Sequence, residues 1–285
     1  MKVKKAVITA AGPAQRELPI QSLIDRDGIK KTVLELLIEE SLQAGIDEIG
    51  VVVFPGDEKN YANAIGKYAS QVEFIRQNEP LGYGHSLLTA AAFVSSEPFL
   101  HLVGDHLYVN RSSKRCAKHL VEVAEKEECS VSTVQPTRES FITNFGVIGG
   151  GRVPGALDLY KIDRVIEKPT PTQAEQKLLV PGLRAGHYLC FFGMHVLTPT
   201  VFSLLKNELN NSEGKAIGLS NALNELAAKE KYLALEKNEL RFDMGARYGL
   251  FKAQLALAMS GKDRDRLMGE LLEFFTMKEL INKEN

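Results

Sequence analysis

Residues 6–16 read AVITAAGPAQR, and they connect a short run of apolar and β-favouring residues to a loop of small residues ending on one arginine. The run at 6–9 predicts a buried strand. A loop of Ala, Gly and Pro lets a ligand lie against bare backbone, and Arg16 would neutralise a phosphate there. A tight turn with a surface arginine is the other interpretation of the same residues.

The composition limits the classes of partner. With 285 residues the chain is long enough for a full α/β core, and its formal net charge of -1 gives no general attraction to nucleic acid or to an anionic membrane. We therefore expect small-molecule partners, no nucleic acid and no membrane. The three cysteines lack C-x-x-C spacing, and the amino terminus lacks a secretory pattern, so we expect a cytoplasmic protein with buried thiols.

The order of apolar segments indicates the fold class. Up to residue 138, short apolar runs alternate with helix-like segments, which predicts an α/β fold with a mostly parallel sheet flanked by helices. Shorter strands and longer loops follow, and the chain is helical in pattern from 246. We predict one domain over 1–245, with halves at 1–138 and 139–245, and a helical extension over 246–285.

The common nucleotide and hydrolase motifs are absent. The sequence has no G-x-G-x-x-G after the first strand, no Walker A pattern and no G-x-S-x-G, so those three classes lose support. A different glycine pair, Gly82 and Gly84, flanks Tyr83 in RQNEPLGYGHS, residues 76–86. This placement suits close backbone approach to a flat ligand or a phosphate, and it also suits a flexible turn.

Two aspartates end apolar strands. Asp105 in LVGDHL and Asp243 in RFDMG lie where open α/β sheets bind ligands, and together they could hold a hard cation such as Mg²⁺. A capping role is the alternative for each. His101, Asp105 and His106 suggest a transition-metal hydrolase, but strand alternation would place His106 on the opposite face.

Seven segments, taken in order, resemble the motifs of the sugar-phosphate nucleotidyltransferases. They are the loop ending at Arg16, RQNEPLGYGHS, LVGD, NFGVIG, VIEKPTPT, AGHYLCFFGMHVL and FDMG. The resemblance spans residues 4–257 and is greatest to bacterial uridylyltransferases that use glucose 1-phosphate. It implies a Rossmann-like mixed sheet that binds a nucleoside triphosphate over the first half and a sugar 1-phosphate over the second.

The resemblance also implies a role for each matching residue. Those that would line the nucleotide or read its base are Ala10, Ala11, Gly12, Gln77 and Gly82. Those that would contact the sugar phosphate are Gly146, Glu167, Lys168 and Gly186. Those that would bind Mg²⁺ are Asp105 and Asp243. The catalytic groups would be Arg16, Asp105 and Lys168, which would assist attack of a sugar-phosphate oxygen on the α-phosphorus of UTP while pyrophosphate leaves.

The loop after the first strand departs from the family pattern. It reads GPAQRELPIQSLIDRDG, residues 12–28, several residues shorter than usual, with Gln21 at the position of the signature lysine. A neutral amide cannot replace a cation, so Lys30 or Lys31 would have to fold back. The alternative function is therefore a sensor or regulatory subunit that binds a nucleotide or nucleotide sugar without turnover. The helical carboxyl end also suggests a homo-oligomer.

Overall fold

The computed structural model describes residues 1–110 and 115–283, so the last two residues of the predicted 246–285 extension lie outside the described residues. The strands are β1 (Lys5–Thr9), β2 (Ser22–Ile24), β3 (Lys30–Thr32), β4 (Glu48–Val53), β5 (Val72–Arg76), β6 (Phe99–Val103), β7 (His106–Val109), β8 (Ser130–Arg138), β9 (Gly146–Arg152), β10 (Leu159–Glu167), β11 (His187–Leu197), β12 (Tyr232–Glu236) and β13 (Leu240–Asp243). The α-helices are α1 (Val33–Gln43), α2 (Glu58–Ile65), α3 (Tyr83–Thr89), α4 (Ala91–Val94), α5 (Cys116–Glu127), α6 (Pro171–Lys177), α7 (Thr200–Asn211), α8 (Ser220–Lys229), α9 (Gly249–Met259) and α10 (Arg264–Lys283).

The main sheet has the strand order β5-β4-β1-β6-β11-β8-β12-β10-β9. Its first four strands are all parallel, as the alternation of strands and helices predicts. Beyond β6 most neighbours are antiparallel, although β8 and β12 are parallel. The mixed α/β sheet is confirmed. Its parallel part lies chiefly in the first half, because direct returns such as β9 to β10 replace crossover helices after residue 138.

Both faces of the sheet are covered by apolar side chains. Ile8 of β1 packs in the layer that contains Leu34 of α1, whereas its neighbour Val7 packs in the layer that contains Leu87 of α3. Successive residues of a strand point to opposite faces, so a strand buried on both sides must be apolar throughout. The end of β1 at Thr9 is therefore the point where the chain leaves the core and can meet a ligand.

A second, short pairing joins distant parts of the chain. Strands β7 and β13 pair antiparallel, with Asp243 opposite His106. The Met244 N–H donates a 2.9 Å hydrogen bond to the Asp105 carbonyl oxygen. The carboxyl end of β6 is thereby fixed to the last strand of the chain.

Helix α9 packs against this pairing. Its Ala253 and Leu257 are buried, and the Gln254 side chain makes two hydrogen bonds with the backbone of Ile24, at 2.8 Å and 3.0 Å. The beginning of the 246–285 segment is thus part of the core, and the domain boundary at 245 stays a prediction.

The described chain contains no helix with the length and apolar character needed to cross a membrane. Cys116, Cys129 and Cys190 are free and buried, as expected. Burial raises the pKa of the Cys129 and Cys190 thiols to about 11. These thiols therefore behave as small apolar groups rather than nucleophiles.

Candidate active site

A cavity of about 220 Å³ opens at the carboxyl ends of β1 and β6. Asp105 borders it, together with every residue predicted to line the nucleotide or read its base. Those residues are Ala10, Ala11, Gly12, Gln77 and Gly82. The carboxyl edge of a parallel sheet is where open α/β folds bind ligands. The structure therefore brings the predicted nucleotide residues together with one predicted metal ligand.

Three buried oxygen atoms in the wall of this cavity have no hydrogen-bond partner in the described part of the chain. They are the hydroxyl oxygens of Thr9 and Ser86 and Oδ1 of Asp105. Asp105 Oδ1 lies 3.1 Å from Nδ1 of His106, but the contact does not have hydrogen-bond geometry. An unpaired buried polar group costs roughly 1–3 kcal/mol. Three such groups in one cavity can be completed by a polar ligand or by ordered water.

The loop after β1 is folded back on itself. The N–H groups of Gln15 and Arg16 both donate to the Gly12 carbonyl oxygen at 2.9 Å. The phenol oxygen of Tyr61 lies 2.5 Å from the carbonyl oxygen of Arg16 and 3.2 Å from that of Ala10. A buried side chain of α2 thus holds together the two ends of the predicted phosphate cradle.

The side chain of Arg16 does not border the nucleotide cavity. Its guanidinium lies over the Phe54 ring, 4.7 Å from the ring centroid, and its Nε is 3.5 Å from Asp57 Oδ2. The neighbouring Gln15 borders the cavity instead. Shielding of phosphates by Arg16 would require its side chain to leave Asp57.

Neither Gln21 nor Lys31 borders the cavity, so neither side chain replaces the missing lysine there. Gln21 is exposed and donates to the Glu17 carbonyl oxygen at 3.3 Å. The Nζ of Lys31 lies 2.8 Å from a carboxylate oxygen of both Asp25 and Glu39. Burial alone would lower the pKa of Lys31, but its bonds to these carboxylates raise it. Lys31 is therefore committed to an ion-pair network away from the cavity.

Gln77 and Gly82, which were predicted to read the base, both border the cavity. The buried Gln77 amide nitrogen donates to the Gly82 carbonyl oxygen at 3.2 Å and to Nδ1 of His85 at 3.1 Å. Both amide hydrogens are used within the protein, so only the amide oxygen is left for a ligand N–H. Gly82 has a φ of +99°, and a Cβ there would lie 2.4 Å from the Ile217 carbonyl oxygen, so only glycine fits.

Gly146, Glu167 and Lys168 form a second cluster, which we call the sugar-side cluster. Gly146 pairs with Glu167 in the β9–β10 ladder, and the Lys168 N–H donates to the carbonyl oxygen of Phe145 at 2.9 Å. Ser220, which the sequence analysis did not single out, donates a 2.5 Å hydrogen bond to Glu167 Oε2. Lys168 has a φ of +46°, a strained conformation for a residue with a side chain, and such strain is common at functional sites.

Gly186 does not join the sugar-side cluster. It is exposed and lies five residues before Phe191, whose ring carbon would be 2.8 Å from a Cβ on Gly146. An extended strand rises about 3.3 Å per residue, so roughly 16 Å separates the two ends of this stretch. The structure thus keeps Gly186 apart from the other predicted sugar-phosphate residues.

Asp105 and Asp243 fit a divalent-cation site. The β7–β13 pairing places Asp243 opposite His106, the residue that follows Asp105. Asp105 also has a buried oxygen without a partner in the described residues. Asp243 Oδ1 accepts hydrogen bonds from the N–H groups of Gly245 at 2.8 Å and Ala246 at 3.2 Å, so it also caps a turn. Mg²⁺ is commonly bound by one or two carboxylates plus phosphate oxygens.

The expectation that His106 points away from Asp105 was wrong. Strand β6 ends at Val103, and the turn at Gly104 and Asp105 interrupts the alternation before β7 begins. Even so, the described residues contain no group of three or more His, Cys, Asp or Glu side chains that could hold a metal ion. Nothing in the described chain therefore supports a zinc or iron hydrolase centred on His101.

Arg241 is a cation beside the sugar-side cluster, and the sequence analysis missed it. Its Nη1 donates to the Phe191 carbonyl oxygen at 2.9 Å, and its guanidinium lies 4.5 Å from the Phe145 ring centroid. Burial lowers the pKa of Arg241, while Tyr108 and Asp243 oppose that effect, and a guanidinium stays charged under these conditions. Strand alternation could have indicated Arg241, because it lies two residues before Asp243 in β13 and residues two apart in a strand share a face.

Known proteins resemble this chain in sequence and in fold. A family model described as nucleotidyl transferase matches residues 5–260. The chain belongs to this family. One similar nucleotidyl transferase is UTP--glucose-1-phosphate uridylyltransferase 1 of Streptococcus pyogenes serotype M3, which is 30% identical over an alignment of 287 positions that covers 90% of each chain.

Two solved structures share the fold of this nucleotidyl transferase. A UDP-glucose pyrophosphorylase complexed with UDP-glucose has a TM-score of 0.72 and 22% identity, and the match covers 89% of this chain and 98% of that one. A UDP-glucose pyrophosphorylase from Acinetobacter baumannii has a TM-score of 0.74 and 21% identity, with 95% and 99% covered. The family and the mixed α/β fold expected from the order of the motifs are confirmed.

Proposed function

We propose that the protein transfers a uridylyl group from UTP to glucose 1-phosphate and releases pyrophosphate. The main support is the cavity in which three unpaired buried oxygens meet all the predicted nucleotide residues. Gln77 offers its amide oxygen to a base N–H, which matches N3–H of uracil. Thymine and guanine also donate an N–H, and the name of the streptococcal relative favours UTP and glucose 1-phosphate.

In the proposed reaction a phosphate oxygen of glucose 1-phosphate attacks the α-phosphorus of UTP. One phosphorus–oxygen bond forms, the bond to the β-phosphate oxygen breaks, and pyrophosphate leaves with its electron pair. Such transfers depend mainly on alignment of the reactants and neutralisation of charge. Arg241 and Lys168 would provide positive charge for the sugar phosphate, while Glu167 would accept hydrogen bonds from sugar hydroxyls.

The proposal includes Mg²⁺ as a cofactor. Asp105 and Asp243 would hold it, because the hydrogen bond from the Met244 N–H to the Asp105 carbonyl oxygen brings the two residues together and Asp105 has an unsatisfied oxygen. When bound, the ion supplies positive charge for the phosphate oxygens. In the shortened loop, Gln15 would donate a hydrogen bond to a phosphate oxygen, although its neutral amide does not supply the charge of the missing lysine. Its amide lies 3.3 Å from where a Cβ on Gly12 would be and 3.4 Å from where one on Gly245 would be.

A second function, nucleotide binding without turnover, is favoured by the state of the loop. Arg16 is paired with Asp57, Gln21 is exposed, and Lys31 is held by two carboxylates. None of these side chains presents a cation to the cavity. A sensor or regulatory subunit would need no such cation, because ground-state binding does not require stabilisation of transition-state charge.

Pyrophosphate release distinguishes the two functions. The assay compares the four ribonucleoside triphosphates and dTTP against glucose 1-phosphate, with and without Mg²⁺, and nucleotide binding is measured in parallel by calorimetry. The transferase predicts release with UTP that requires both the sugar phosphate and the metal. Binding of UTP without release from any nucleotide would contradict the transferase and favour the sensor.

We also propose a cytoplasmic homo-oligomer that associates through α9 and α10. Large apolar side chains are exposed there, among them Phe251 at 65%, Phe274 at 62% and Phe275 at 61%. A contiguous exposed apolar surface usually marks an interface. Light scattering after size exclusion should give a mass above that of one chain, and replacing both Phe274 and Phe275 with Ser should reduce it; a monomeric wild-type protein would contradict the proposal.

A further inference from the structure

Tyr83 lies at the junction between the nucleotide cavity and the second half of the chain. It is the first residue of α3 and borders the cavity. On either side of it, the Gly84 N–H donates to the Ile217 carbonyl oxygen at 3.0 Å, and the Ile217 N–H donates to the Leu81 carbonyl oxygen at 2.8 Å. The backbone around Tyr83 is thus bonded to the segment that leads to Ser220 and the sugar-side cluster.

The phenol of Tyr83 is bonded to a buried histidine. Its oxygen lies 2.6 Å from Nε2 of His101, and Nδ1 of His101 lies 3.1 Å from the Val7 carbonyl oxygen. A carbonyl oxygen can only accept, so Nδ1 carries the hydrogen and Nε2 of the neutral ring must accept the phenol hydrogen. His101 is fully buried, and burial lowers its pKa to about 4, so the ring is neutral near pH 7.

The His101 ring is itself held from behind. It stacks on the ring of His195, with centroids 5.9 Å apart and planes at 16°. His195 Nδ1 lies 2.6 Å from the hydroxyl oxygen of Ser132, which also contacts the hydroxyl of Tyr232. These four side chains are all buried. The position of Nε2 is therefore fixed by the sheet and not by the ligand.

The Tyr83 phenol belongs to a side chain that borders the nucleotide cavity and is connected to the sugar-side cluster through packed rings. Burial is the main cause that raises its pKa, and the carboxylates of Asp105 and Glu167 raise it further. Asp105 borders the nucleotide cavity, whereas Glu167 belongs to the sugar-side cluster. The Thr9 hydroxyl is near enough to lower the pKa of the phenol, although it does not make a well-formed hydrogen bond. Through the stacked rings of His101 and His195, Tyr83 is linked to Phe191, whose ring lies edge-on to His195 with centroids 5.2 Å apart and would be 2.8 Å from a Cβ on Gly146.

We propose that His101 is a positioning residue: as a fixed acceptor it holds the Tyr83 phenol at the junction, and the phenol aligns the nucleotide with the sugar 1-phosphate. This inference rests on the proposed function, because alignment of two substrates is expressed in that reaction. Loss of the fixed phenol should leave each substrate able to bind alone and should slow the step that requires both.

The kinetic test uses three variants and a matched control. Tyr83→Phe keeps the ring but removes the hydroxyl, His101→Leu removes the acceptor, and His101→Gln places a side-chain oxygen near the position of Nε2. The control, Tyr160→Phe, removes the hydroxyl of a buried tyrosine that bonds to Glu236 and takes no part in the His101 network. For each protein, kcat, the KM for UTP, the KM for glucose 1-phosphate and the thermal midpoint are measured.

We expect Tyr83→Phe and His101→Leu each to lower kcat about tenfold, the effect of one well-placed hydrogen bond, while the KM for UTP changes less than about threefold. The KM for glucose 1-phosphate should rise, because its binding beside the nucleotide depends on the phenol. The double variant should be no slower than either single variant, because both changes remove the same bond. His101→Gln should recover most of the rate, and Tyr160→Phe should leave it at the wild-type value. Wild-type kcat in Tyr83→Phe, or additive losses in the double variant, would overturn the proposal. If His101→Leu does not fold, Tyr83→Phe and His101→Gln decide the matter.

A binding measurement separates this inference from the proposed function. Calorimetry gives the affinity for glucose 1-phosphate with and without an α,β-methylene analogue of UTP, and it does not depend on turnover. We expect the analogue to raise the affinity of the wild-type protein and Tyr83→Phe to lose that increase. Absence of turnover in the wild type would refute the proposed function, whereas an unchanged increase in Tyr83→Phe would refute the role of His101 and Tyr83.

Discussion

Ser220→Ala should weaken binding of the sugar phosphate without affecting the nucleotide. Ser220 donates a 2.5 Å hydrogen bond to Glu167 Oε2, and a Cβ on Gly146 would lie 3.0 Å from both oxygens. The serine hydroxyl therefore fixes the carboxylate beside the predicted sugar contact. Without it, Glu167 is free to rotate into solvent.

The size of the effect follows from the exposure of Glu167. A hydrogen bond to a charged group contributes about 1.5–3 kcal/mol. Because the Glu167 side chain is exposed, water can replace the serine and solvent screens the charge, which reduces the figure to roughly 1 kcal/mol. That free energy corresponds to about a fivefold increase in the KM for glucose 1-phosphate.

Initial rates of pyrophosphate release, measured while one substrate is varied at saturating levels of the other, check this expectation. The matched control is Asn221→Ala, which removes the neighbouring side chain and its 2.7 Å hydrogen bond to Glu208. The control should leave both KM values unchanged. Equal increases in the KM for UTP and the KM for glucose 1-phosphate, or no increase in either, would refute the role assigned to Ser220.

Three further changes test other parts of the site. Asp105→Ala should reduce Mg²⁺-dependent turnover at least about a hundredfold and leave the thermal midpoint unchanged or higher, since it removes a buried carboxylate with an unpaired oxygen; an unchanged rate would remove Asp105 from the site. Gly82→Ala should destabilise the fold by about 2 kcal/mol or more in urea unfolding, because its φ is +99° and its Cβ would lie 2.4 Å from a carbonyl oxygen. Gly56→Ala, at φ +93° with open space around it, separates the cost of φ from the clash. Gln21→Lys should leave kcat unchanged or raise it, and a collapse in rate would show that the exposed amide has a function in the short loop.

The sequence alone was sufficient to predict the strands and helices that are marked by a local pattern of residues. The strand at 5–9 and the alternation that follows it gave the parallel half, because periodicity and length distinguish buried strands from amphipathic helices. The order of short motifs was sufficient for the family, and it grouped Gln77 and Gly82 correctly with the residues after β1. These features depend on contacts between neighbours in sequence or on glycines with a fixed backbone role.

Side-chain direction and long-range pairing could not be obtained in this way. Nothing local to Arg16 shows that Phe54 and Asp57 would draw its guanidinium away from the cavity. The hydrogen bond between Ser220 and Glu167 joins helix α8 to strand β10, so no spacing rule connects them. The antiparallel pairing of β7 with β13 is equally remote, so the contact of Arg241 with Phe191 could not be predicted, although strand alternation indicates the face on which Arg241 lies.

The β7–β13 pairing also determines when during folding the site becomes complete. Asp105 follows a strand of the parallel half, whereas Asp243 is contributed by the last strand of the chain. Contacts between residues far apart in sequence form late, because the intervening chain must first be ordered. During synthesis the nucleotide cavity can take shape before Asp243 has been made, so a nascent or truncated chain would lack one carboxylate of the pair.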